Sequence, residues 1–64
     1  MIAEIVIDDA QRLDGAAWQV CATVGQAGAL ARVPFVLDDA ADGLDEAAGA
    51  AELVAAIARR YGAA

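Results

Sequence analysis

In residues 16–25, AAWQVCATVG, apolar side chains recur at every second place: Trp18, Val20, Ala22 and Val24 share one parity, Gln19, Cys21 and Thr23 the other. A period of two is the signature of a strand with one buried and one open face. The chain must therefore build a sheet and cover one side of it. Upstream, Ile2 to Asp8 is rich in β-branched residues, with Ala3, Ile5 and Ile7 on the expected inner parity and Ile2, Glu4, Val6 and Asp8 on the outer. Asp14-Gly15 is a favoured pair for a hairpin turn, since both residues tolerate positive φ. The first strand can then continue, with a bulge, to Leu13. After Gly25-Gln26-Ala27-Gly28, the run ALARVPFVL places Ala31, Val33, Phe35 and Leu37 inward and Leu30, Arg32, Pro34 and Val36 outward. Pro34 has no N–H for a ladder, so this third strand is expected at an edge with position 34 turned from its neighbour, or bulged.

The period changes after the acidic stretch VLDDAADGLDE. From Leu44 to Tyr61, Ala47, Ala50, Leu53, Val54, Ile57 and Tyr61 recur at spacings of three and four, which predicts a helix. Asp42 is the expected N-cap, Asp45 and Glu46 suit the positive end of the helix dipole, Arg59 and Arg60 the negative end, and Gly62 can close it. The fold expected is α+β: a three-stranded antiparallel meander, about 2–13, 16–25 and 29–37, then one helix, about 43–61. The helix lies on the Trp18/Val33/Phe35 face, giving a two-layer βββα domain that takes in residues 1–64.

Size limits what holds such a domain together. In 64 residues, 19 of the apolar side chains are alanine, so little area is available to bury. Domains this small usually gain stability from disulfides, a metal or association. Cys21 is the single cysteine and there is no histidine, which excludes an internal disulfide and the usual zinc ligand sets. Association remains, with the same chain or another protein. The lone cysteine fits a reducing setting. The start, MIAEIVIDD, lacks the basic and long apolar regions of a secretory leader, and no apolar run is long enough to suggest a spanning helix, so the expected location is cytoplasmic, or within a particle assembled inside the cell.

A net charge of −6, with four Arg and no Lys, disfavours direct contact with nucleic acid or anionic membranes. The acidic stretch matches a calcium loop at Asp38, Asp42 and Gly43 but fails at its third and twelfth positions, Ala40 and Gly49. Helix capping is the simpler account. No nucleophile stands beside a base in sequence, and Cys21 has no basic neighbour to lower its pKa. Gly15, Gly25 and Gly28 lack the following helix and the lysine of a phosphate loop. The expectation is therefore a non-enzymatic chain with no cofactor, metal or small-molecule substrate.

One helix leaves the other sheet face open. Ile2, Val6, Cys21, Leu30, Arg32 and Val36 form the candidate protein interface there, read as an apolar patch rimmed by Arg32 and Glu4. The expected function is a structural or interaction subunit that joins itself or a larger assembly through this face. Abundant Ala, Gly, Val, Asp and Arg, with Lys, Ser, Asn and His absent, suggests a GC-rich genome and tilts the reading toward a bacteriophage particle component. The alternative is an acidic inhibitor or antitoxin-like protein whose Asp8, Asp9, Asp14, Asp38, Asp39 and Asp42 occupy a partner's basic, nucleic-acid-binding groove.

Overall fold

The computed structural model describes residues 2–61, with side chains from Glu4 to Tyr61. Strands β1 (Ile2–Leu13), β2 (Ala17–Gln26) and β3 (Ala29–Asp38) form an open antiparallel sheet in the order β1-β2-β3. A single helical turn, α1 (Asp39–Asp42), and a C-terminal helix, α2 (Ala50–Arg60), follow. The two-layer α+β arrangement is the one the sequence periods predict.

Both hairpins turn through two consecutive left-handed residues, the first within a three-residue loop between the paired Leu13 and Ala17. Asp14 and Gly15 have φ of 48° and 68°, and the Ala16 amide donates to the Leu13 carbonyl at 3.0 Å. Ala27 and Gly28, with φ of 52° and 80°, link Gln26 to Ala29 in two residues. Left-handed conformations at both central positions match the twist of the strands. The second strand thus runs one residue further, to Gln26, than the glycine at 25 suggests.

Two register shifts interrupt β1, between Ile2 and Glu4 and between Ile7 and Asp9. The second leaves Asp8 as an extra residue, so Ile5 and Ile7 are followed on the covered face by Ala10 and Arg12, which pair with Val20 and Trp18. This is the bulge expected from the length of the strand.

Val20, Ala22, Leu37, Leu53, Ala56 and Ile57 form the buried cluster, with Ile5, Ile7, Ala10, Trp18, Phe35, Leu44 and Ala48 packed around it. Burying Leu37, Ile57 and Leu53, each at most 3% exposed, contributes about 1.5–3 kcal/mol apiece. These three side chains fasten the helix to the sheet. Ala22 and Ala56 are both fully buried, allowing helix and sheet to approach closely.

The helix begins later than its apolar period suggests. Gly43, in the left-handed region at φ 66°, ends α1, and residues 44–49 run without regular structure to Gly49, the N-cap of α2. Glu52 reaches back to accept the Gly49 amide at 2.9 Å. Asp42 is therefore not the N-cap of the long helix, and Ala47 and Ala50, expected on its buried stripe, are exposed. Asp45 accepts the Ala47 amide at 2.8 Å, and Asp45 and Glu46 precede the helix they were expected to open. Arg59 and Arg60 do occupy its last turn. Tyr61 is its C-cap at φ −88°, and Gly62 lies outside the described residues.

Candidate interaction face

Residues opposite one another in the ladder form rows across the uncovered face. Glu4, Gly25 and Leu30 make one row; Val6, Thr23 and Arg32 the next; then come Asp9, Cys21 and Pro34; Gln11, Gln19 and Val36; and Leu13, Ala17 and Asp38. Leu30 is 71% exposed, Val36 57% and Val6 44%. Gly25 makes room for Leu30, because a Cβ there would sit 3.2 Å from Leu30 Cδ2. Of the candidate residues, Val6, Cys21, Leu30, Arg32 and Val36 all fall in these rows. Ile2 pairs through its backbone with Gln26, and its side chain lies outside the described residues.

The rows place Arg32 within the face. Asp8, the extra residue of β1, accepts the Thr23 hydroxyl at 2.7 Å, and its carboxylate lies 3.6 Å from Arg32 Nε. This polar band crosses between Leu30 at one end and Val36 at the other. Val36 lies six residues further along the strand than Leu30, roughly 20 Å at about 3.3 Å per residue. Asp9, Gln11, Gln19, Cys21 and Pro34 line a shallow depression of about 120 Å³ between them. Cys21 is half-buried there. The face is a mosaic in which apolar side chains flank a polar centre.

The acidic stretch serves the fold at most of its positions. Asp38 is the N-cap of α1 and accepts the Ala41 amide at 3.0 Å. Asp39 takes two hydrogen bonds from Arg12, at 2.9 and 3.0 Å, and Arg12 also lies 5.0 Å over the Trp18 ring. That two-point hydrogen bond holds the Asp39 carboxyl below the usual carboxylate range and pushes the Arg12 guanidinium above its own. Asp42, with a side chain only 9% exposed, accepts from the Asp38 amide and from Arg60 Nη2, both at 3.0 Å. The Asp45 carbonyl accepts from Trp18 Nε1 at 2.9 Å. Asp9 and Asp14 are exposed. The six carboxylates considered as one acidic interface are thus distributed between the outer face, a hairpin tip and the junction of β3 with α2.

Arg59 and Arg60 do more than complement a dipole. Arg59 donates to the Asp42 carbonyl at 2.9 Å, and Arg60 to both the Asp42 carboxylate and the Val36 carbonyl, each at 3.0 Å. Their partners lie 17 to 24 residues away in sequence, so only the fold identifies them.

Among the described residues no group of three or more His, Cys, Asp or Glu is placed to hold a metal ion, and no helix is long and apolar enough to cross a membrane. No protein-family model matches the chain, and comparison with curated proteins and with solved structures finds no match.

Proposed function

We propose that the chain is a non-enzymatic interaction subunit that assembles, with itself or within a larger protein complex, through the open face of its sheet. The observation that carries this reading is the exposure of Leu30, Val36 and Val6 on a face that none of the described elements covers. Covering all three would contribute on the order of 5 kcal/mol from apolar burial. Association costs about 4–15 kcal/mol in lost translational and rotational freedom, so these side chains alone give a weak pairwise contact. Such a contact holds when it is repeated in a multi-copy assembly or supplemented by polar pairing through Arg32, Asp9 and the glutamines. Composition favours a phage particle as that assembly, built inside the cell.

Sedimentation equilibrium over a rising concentration series tests the reading, alongside capture of any native partner. Val36→Asp and Leu30→Asp should weaken assembly at least about tenfold while leaving the helical and strand circular dichroism unchanged, since both side chains project from the fold. A chain that stays monomeric throughout, with partner capture indifferent to both substitutions, would overturn it.

A further inference from the structure

The free edge of β3 is partly occupied by the protein itself. Main-chain groups along an antiparallel strand point alternately toward one neighbour and the other. The Val36 carbonyl is met by Arg60 and the Asp38 amide by the Asp42 carboxylate, so even-numbered residues of β3 direct their backbone groups away from β2. Pro34 shares that parity and has no N–H to donate. From Pro34 to Asp38 the edge therefore presents a missing donor, an acceptor already used and a donor already used. Leu30 and Arg32, by the same alternation, keep theirs open.

We propose that Arg60, held by Asp42, is a gatekeeper that closes the C-terminal half of the β3 edge against the strand of a second copy. The hazard it meets is specific. Ala29–Leu37 carries one charge, with Val33, Phe35 and Val36 clustered around Pro34, and a bare strand edge of so little charge is a template for pairing with a like strand. Antiparallel addition of another β3 needs the Val36 carbonyl as a ladder acceptor, and Arg60 occupies it. Arg59 grips the Asp42 carbonyl and anchors the same turn without touching the edge. The opposite edge, on β1, is disrupted differently, by its irregularities at Ala3 and Asp8. This gating is separate from the open face and holds whether or not that face carries a partner.

The test compares Arg60→Met, which keeps the aliphatic stem and removes the donors, with Arg59→Met, Arg32→Pro, Pro34→Ala/Arg60→Met and Arg32→Pro/Arg60→Met, by light-scattering mass over a concentration series. Arg60→Met should raise the weight-average mass about twofold or more over the parent chain, and adding Pro34→Ala should raise it further. Arg32→Pro, which removes another edge donor, should return the mass to that of Arg32→Pro alone. Arg59→Met should match the parent. Masses equal to the parent for Arg60→Met and for the Pro34→Ala double variant overturn the proposal. So does an equal rise with Arg59→Met, failure of Arg32→Pro to reverse the rise, or loss of the Trp18 near-ultraviolet signal in Arg60→Met, which would make Arg60 a folding element instead.

Discussion

Ala27 occupies a conformation that suits glycine, asparagine or aspartate better. At φ 52° it is left-handed, where an L-residue with a Cβ bears roughly 1–2 kcal/mol of steric cost. Asparagine reduces that cost by hydrogen bonding locally, and Asn-Gly is the favoured pair for a two-residue hairpin of this kind. Ala27→Asn should therefore stabilise the protein by about 1 kcal/mol; Ala27→Gly should gain less, because glycine surrenders roughly 0.5–1 kcal/mol more chain entropy on folding. In a domain of this length about 1 kcal/mol corresponds to a rise of roughly 4–8 °C in Tm. The site is exposed and no Cβ contact is available at Gly28 beside it, so packing does not confuse the comparison. Thermal unfolding followed at Trp18 would read the shift. Asp14 stands in the corresponding place of the other hairpin at φ 48°, and Asp14→Ala should move Tm downward. Unchanged or lowered Tm in Ala27→Asn, with Ala27→Val no worse than the parent, would refute the argument from backbone strain.

Leu37 is fully buried beneath α2, and Leu37→Ala should cost about 2–5 kcal/mol, comparable with the roughly 3–5 kcal/mol that a core this small supplies; urea titration should show a chain largely unfolded near room temperature. The Arg12–Asp39 pair should show in acid. Because the folded state lowers the Asp39 pKa, its contribution is complete above the ordinary carboxylate value of about 4 and fades as pH falls through the folded value. The difference in urea midpoint between parent and Asp39→Asn should be largest near neutrality and shrink as pH falls through the folded value; a gap that does not narrow in acid would contradict the assignment.

The sheet was legible because its information is local. Val20, Ala22 and Val24 alternate with more polar neighbours, and Pro34 marks an edge by an absent donor. The start of α2 was not legible for a reason equally physical: Ala47, Ala48, Ala50 and Ala51 fit a buried or exposed helical position almost equally well, so periodicity there lacks contrast. Gly43 and Gly49 decide the break, one by a left-handed φ and the other as N-cap. On α2, Leu53 and Ile57 announced the buried stripe, while Ala56 between them did not. The open face of the sheet was legible in membership and not in arrangement. Parity selects Val6, Leu30, Arg32 and Val36, but only the register sets Arg32 in the Val6 row and Asp8 beside it. The acidic stretch was readable as helix entry in kind, yet its actual partners, Arg12, Trp18 and Arg60, lie 18 to 27 residues away in sequence.

The extra residue at Asp8 also makes the length of β1 negotiable at one place. On either side of it the ladder is already in step, Ile7 with Ala22 and Asp9 with Cys21, so excising Asp8 would splice two halves that agree about which way each side chain points. Removing Val6 or Gln11 instead would leave part of the strand inside out, with a carboxylate or a glutamine driven toward Leu53 and Ile57. Natural variation in this segment should therefore take the form of a gained or lost residue at the bulge and substitution elsewhere. A chain lacking Asp8 would fold into a straighter ribbon without the anchor for Thr23 and Arg32.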